Sequence, residues 1–212
     1  MSLDINGSAA GDVSWPVQYR VDIEDRLAEF NGGWLDFAMA NGGEALYPSR
    51  ILGQSLWRFL TDGTTRHLYH VMVQRLRAGR APIRFQLRCD APDRRRLLAM
   101  EMTADEAGSV QFSVTSVLEE SRRPVSLLKP PTVRGEYFLT MCSWCKKIQT
   151  PAGRWVEAEE AVDVLGLFVE SPLPELTHGM CPPCYAAILA TLGGPGAGTS
   201  DSVAGAGARD VS

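Results

Sequence analysis

The chain has 212 residues, with 21 Lys and Arg against 25 Asp and Glu, for a formal charge of −4. That balance excludes bulk attraction to nucleic acid or an anionic membrane as the main activity. Apolar residues at 45% and charged residues at 22% exclude wholesale disorder.

Residues 1–16 are small and polar and read as a flexible N-terminal segment with neither the basic nor the apolar region of a secretory signal. No run of about 18 apolar residues occurs, so no membrane span is expected. Residues 17–118 read as a first module. Val17, Tyr19, Val21 and Ile23 alternate with polar neighbours, as in a half-buried strand, and a short strand follows at Arg26–Phe30. Asn31-Gly32-Gly33 turns the chain into a short helix over Trp34–Ala40, and Ser55–Leu60 reads as another. Thr64 or Thr65 is the expected N-cap of a longer helix to about Ala78, closed by Gly79. The period then changes from 3.6 to 2 through Ile83–Cys89, Leu98–Thr103 and Val110–Thr115, with turns at Asp90–Asp93 and Asp105–Gly108. That pattern is an antiparallel meander with one buried face.

The fold class expected is α+β, a five-stranded antiparallel sheet with helices on one face. The stretches IEDRLAEFNGGWLDFAMANG and LGQSLWRFLTD, the helix after them and the RCDAPDRRR turn resemble the PAS sensor fold over about half of the chain. The resemblance implies a sensing or dimerisation module, self-associating through the segment before the first strand and the outer sheet face. Val13, Trp15 and Val17 are the apolar residues there; the alternative is that Trp15 folds back onto its own sheet. PAS proteins that carry haem hold it by a histidine on the long helix, where this chain has His67 and His70. On a helical wheel both lie about 150° from the centre of the face formed by Leu68, Tyr69, Met72 and Leu76, so they point away from the core. The flavin–cysteinyl motif of photosensory PAS domains is missing, since LWRFLTD holds no cysteine.

Residues 75–96 carry eight arginines and two aspartates. Arg88, Arg94, Arg95 and Arg96, the last three placed in a hairpin turn, are candidate contacts for an anion or an acidic partner; the plainer reading is a solvated face. Phe30, Trp34, Phe37, Trp57, Phe59 and Phe85 read as core aromatics that can also line a pocket.

The stretch 119–135, with three prolines and a charge cluster, reads as a linker to a second module at 136–192. There Cys142-Ser143-Trp144-Cys145 and Cys181-Pro182-Pro183-Cys184 form two C-x-x-C pairs separated by residues 146–180. Two such knuckles supply the tetrahedral thiolate set that Zn²⁺ prefers, with no position left open for catalysis. Lys146 and Lys147 offset the charge of a four-thiolate zinc centre, and the second pair opens an apolar helix whose first turn tolerates proline. Trp155-Val156 and Glu157–Leu165 read as a strand and a helix between the knuckles. The arrangement looks like a treble clef and is similar to modules appended to bacterial PAS-type sensory proteins. An iron–sulfur cluster uses the same four ligands and stays open. A c-type haem needs C-x-x-C-H, whereas Lys146 and Tyr185 follow these pairs; a thioredoxin-like dithiol needs a βαβ setting. His178, three residues before Cys181, is a conceivable ligand or a residue that positions the knuckle, and Cys89 reads as a small core residue. The tail at 193–212 offers nothing to bury and reads as disordered.

Five cysteines, an odd number, argue for a reducing, cytoplasmic setting. The function expected is that of a sensory or regulatory signalling protein. A PAS-like module is coupled to a structural or redox-responsive zinc site, forms a homodimer and acts through a signalling partner, since no output domain is recognisable. One alternative is a zinc-dependent transcription regulator, opposed by the charge of residues 136–192, three basic against seven acidic. The other is a haem- or other ligand-binding PAS sensor. No enzyme is expected: no Ser/His/Asp or Cys/His signature appears, and three histidines leave little general-base capacity.

Overall fold

The computed structural model describes residues 15–129, 135–167 and 172–193. Residues 1–14, part of the expected linker (130–134) and the tail beyond residue 193 lie outside the described residues, as does Val13.

The first sheet is built from β1 (Val17–Val21), β2 (Leu27–Phe30), β3 (Ile83–Arg88), β4 (Arg94–Ala104) and β5 (Val110–Ser121), in the order β2-β1-β5-β4-β3 and antiparallel throughout. Its buried face carries Val17, Val21, Phe85, Leu98, Met100, Met102, Val110 and Phe112, the period-2 set that the sequence alternation selects. Ile23 falls outside β1 and is 67% exposed, because the chain turns after Val21.

Between β2 and β3 run α1 (Gly32–Ala40), α2 (Pro48–Ile51) and α3 (Gly63–Arg77), with single 3₁₀ turns at Glu44–Leu46 and Leu56–Arg58. The helical piece expected at Ser55–Leu60 is thus only one turn. Asn31 caps α1, accepting from the Trp34 amide at 3.1 Å, and also accepts from the Gln18 amide at 2.9 Å, which staples the helix to β1. The cap of α3 is Asp62, not a threonine: its carboxylate accepts from the amides of Thr64 and Thr65. Its buried face is Thr65, Leu68, Tyr69, Met72, Val73 and Leu76, packed on the sheet. The helix ends at Gly79, whose φ of +75° stops it without a Cβ clash.

The second unit has a four-stranded sheet of β6 (Phe138–Cys142), β7 (Ile148–Gln149), β8 (Trp155–Val156) and β9 (Glu175–Gly179), in the order β8-β7-β6-β9. It also has α4 (Ala158–Val164) and α5 (Pro182–Gly193). The pairing of β6 with β9 is parallel, in a register that sets Met141 beside His178 and Cys142 beside Gly179. A core of Leu139, Met141, Ile148, Val156, Ala161 and Leu167 lies under α4.

The stretch expected as a linker is ordered over its described part. Residues 119–121 complete β5, and Val125 and Leu127 are buried in the second unit's core, Leu127 completely. The Arg122 guanidinium donates to the carbonyls of Ala91 and Pro92, tying this stretch to the β3–β4 turn. No helix among the described residues is long and apolar enough to cross a membrane.

Candidate metal centre

Cys142 is the last residue of β6, and the chain turns at once so that Cys145 faces back toward it. The turn is closed by the Lys146 amide on the Cys142 carbonyl at 3.0 Å and the Cys142 amide on the Lys147 carbonyl at 2.8 Å. Lys146 takes a φ of +60° to complete it, and its ammonium donates to the Ser143 carbonyl at 2.9 Å. The second knuckle stands at the end of β9, where Cys181 precedes α5 and Cys184 lies in the first helical turn. Prolines at 182 and 183 fit that turn because their missing amides would have no intrahelical partner. The parallel β6–β9 register joins the two knuckles, and the Ser143 amide donates to the Gly179 carbonyl at 2.8 Å. A side chain on Gly179 would bring its Cβ to 3.1 Å from Thr140 Cγ2, which keeps this strand end narrow.

The four sulfurs converge, each within 4.8 Å of the others, and Cys145 Sγ lies 3.7 Å from Cys181 Sγ. A tetrahedral site with Zn–S bonds of about 2.3 Å has sulfur–sulfur edges of about 3.8 Å. The spacing therefore fits zinc, and all four cysteines are free thiols. Cys142 and Cys181 are buried and Cys145 and Cys184 half-buried. The Cys181 amide points at Cys142 Sγ at 3.4 Å, an N–H···S contact suited to a thiolate. The thiol hydrogen bond from Cys145, with the amides of Cys145, Cys181 and Trp144, pulls Cys142 down to about 4 against the opposing effect of burial. Burial, then the neighbouring sulfurs, pushes Cys184 up to about 12, and the bond to Cys142 raises Cys145. A dication is needed to hold all four as thiolates.

His178 is not one of the converging groups; it is exposed on β9, and partial desolvation and the Lys146 charge lower its pKa. His67 is exposed, and His70 stacks on Trp57 with ring centroids 3.5 Å apart, so neither enters the core. Cys89 lies apart from the cluster.

The centre sits on the seam between the two units. Trp144, between the first two cysteines, is buried against Phe85 and Tyr69, at 5.2 and 5.9 Å between ring centroids. Its carbonyl accepts from the Arg88 amide at 2.7 Å, covering the free edge of β3. Ile188 and Leu192 of α5 join the same core as Tyr69 and Phe85.

The arginines that the sequence singles out have carboxylate partners within the chain. They lie in β4, not in the turn before it, apart from Arg88 at the end of β3. Arg88 binds Asp90 and Glu157 (2.7 Å to the latter), and Arg95 binds Glu159 at 2.9 Å. Arg122, which sequence reading did not single out, bridges Asp90 and Glu159 at 3.2 Å each. Glu157 and Glu159 stand at the start of α4, so the basic strand pair of the first unit holds the acidic helix of the second. Arg94 and Arg96 bind Glu119 on the neighbouring strand.

No protein-family model matches the chain, and comparison with curated proteins finds no match.

Proposed function

We propose that the chain is a cytoplasmic sensory or regulatory protein in which a structural zinc joins a PAS-like module to a treble-clef-like module. The observation that carries this reading is the convergence of Cys142, Cys145, Cys181 and Cys184 on the seam. A closed four-thiolate zinc supplies folding energy rather than reactivity. The strand order, with all helices of the first unit between β2 and β3, supports the PAS-like reading. Output then passes through a signalling protein partner, with self-association through the outer face of the first sheet, where Val117 and Leu118 near the end of β5 are about half exposed. Trp15 packs on Phe37 and Val17 is buried in the same chain, which supports the outer sheet face over the segment before the first strand for that contact. A DNA-binding role has little support: Arg88, Arg94, Arg95 and Arg96 are all ion-paired internally.

Metal analysis with the absorption spectrum tests the proposal. The expected result is about one zinc per chain and a colourless protein. Cys145→Ser with Cys181→Ser should abolish binding and unfold the second unit. Visible absorption lost with the same cysteines would replace zinc by an iron–sulfur cluster, and full zinc occupancy in the double variant would refute the ligand set.

A further inference from the structure

The triplet Asn-Gly-Gly flanks α1 at both ends, as Asn31-Gly32-Gly33 at its start and Asn41-Gly42-Gly43 after it. A further Asn-Gly pair, Asn6-Gly7, lies outside the described residues. An asparagine before glycine is open to attack by its own main chain, because the following residue has no Cβ to hinder the approach. The glycine amide nitrogen, deprotonated by hydroxide, adds to the asparagine Cγ. The Cγ–Nδ2 bond breaks, ammonia leaves and a succinimide ring closes. Water then opens the ring at either carbonyl, giving aspartate or isoaspartate. The sum is one water consumed and one ammonia released. Local sequence makes the two triplets equivalent, and the fold separates them.

Asn31 reaches the reacting geometry only by dismantling the start of α1. Its Oδ1 accepts from the Gln18 amide at 2.9 Å and from the Trp34 amide at 3.1 Å, and its Nδ2 donates to the Pro16 carbonyl at 2.6 Å. Its own amide donates to the Gln18 carbonyl at 3.0 Å, so the main chain is also fixed on β1. Swinging the side chain toward Gly32 breaks three side-chain hydrogen bonds, one of them the helix cap.

Asn41 stands where α1 has run out. Asn41 and Gly42 are both exposed, so water and hydroxide reach them. Nδ2 makes one bond, to the Phe37 carbonyl one turn back at 2.8 Å. The attacking amide, that of Gly42, is held by a 3.5 Å contact to the Met39 carbonyl, longer than an ordinary hydrogen bond. Gly42 takes a φ of +65°, open to glycine without strain, and the peptide plane before it can turn toward Cγ. Oδ1 accepts from the Arg96 guanidinium at 3.0 Å. A cation there draws electron density from Cγ and stabilises the oxygen as it takes up negative charge during the addition. Arg96 is buried, paired with Glu119 and set over the Phe37 ring at 5.6 Å, so it stays in place as Asn41 moves.

We propose that Asn41 is a site of spontaneous deamidation in the folded protein and that Asn31 is protected from it. The product places a carboxylate at residue 41 beside Arg96, and in the isoaspartate form the main chain gains one carbon at the end of α1. The modification thus acts on a helix that packs on the first sheet. It uses no cysteine and does not depend on the zinc reading.

The test incubates the full chain at mildly alkaline pH, once native and once in concentrated guanidinium chloride. Both asparagines lie in a single tryptic peptide, residues 27–50, so tandem mass spectrometry reads the two sites from the same molecule. In the native chain Asn41 should convert about tenfold or more faster than Asn31. That ratio equals ~1.4 kcal/mol in barrier and follows from the two further hydrogen bonds that Asn31 must give up. In denaturant the two rates should fall together. Asn41→Gln should leave the native peptide unchanged over the same period. A native ratio no larger than the denatured one would overturn the proposal. So would a native chain in which neither site changes while both change in denaturant, or one in which Asn31 is the faster.

Discussion

Replacing Trp144 separates the two contributions of the knuckle, its packing and its metal ligation. The indole is 5% exposed and lies against Phe85 and Tyr69 of the first unit. Truncation to Ala removes a buried aromatic that the neighbours cannot fully replace, a loss of about 3–5 kcal/mol, of which each ring pair accounts for about 0.5–1.5 kcal/mol. The indole N–H, however, is buried without a hydrogen-bond partner. A donor left so costs about 1–3 kcal/mol, and Phe removes it while keeping a ring against Phe85. Trp144→Phe is therefore expected to cost about 1 kcal/mol or less and Trp144→Ala several times more. Chemical denaturation of the zinc-loaded chain measures both differences, and zinc release to a chromogenic chelator reports whether the knuckle loosens. Ala should speed release while Phe leaves it near the parent rate. Equal costs for the two variants would refute the argument, as would an Ala variant of parental stability.

The charge network gives a second expectation. Arg122 and its partner Asp90 have side chains 7% and 2% exposed, so Arg122→Ala leaves a buried carboxylate short of one cation and should cost about 3 kcal/mol in denaturation. Arg95→Ala, at a half-exposed pair with Glu159, should cost less than about 1 kcal/mol. Acid should loosen the same seam. Burial by itself would raise the Glu159 carboxyl, but its own amide, Arg122 and Arg95 together hold it below the usual range. Glu119 is held low in the same sense by Arg94 and Arg96 against its own desolvation. A carboxyl depressed in the folded state adds stability that is present above its unfolded value, about 4.3, and is lost as pH falls through the folded value. Stability followed by denaturant midpoint should thus be flat in these groups from neutrality to about pH 5 and fall below about pH 4. In Glu119→Gln/Glu159→Gln that decline should be shallower; an unchanged acid profile would contradict the assignment.

Much of this architecture is written in short-range pattern. The alternation through β1, β3, β4 and β5 depends only on which side chains face the same way two residues apart, and it identifies the buried face without knowledge of the partner strand. The C-x-x-C spacing likewise brings two sulfurs together within one turn, so both knuckles are legible locally. The cap of α3 lies two or three residues before the threonines that the sequence suggests, because Asp62, Thr64 and Thr65 are all cap formers and only backbone geometry chooses among them. What the tertiary structure decided is how distant segments meet. The β6–β9 pairing joins strands more than thirty residues apart, and the short β9 carries no alternation strong enough to announce it. Pro124, Pro130, Pro131 and the charges of the 119–135 stretch read as a tether, yet Val125 and Leu127 find an apolar site that exists only once the second core has assembled. The arginines look like a surface for an outside anion until α4 delivers Glu157 and Glu159 to them. Residue type and spacing specify what each segment can bury or bind. Which complementary segment it meets is settled by the free energy of the whole packed chain, because only there do burial and ion pairing outweigh the entropy of bringing distant residues together.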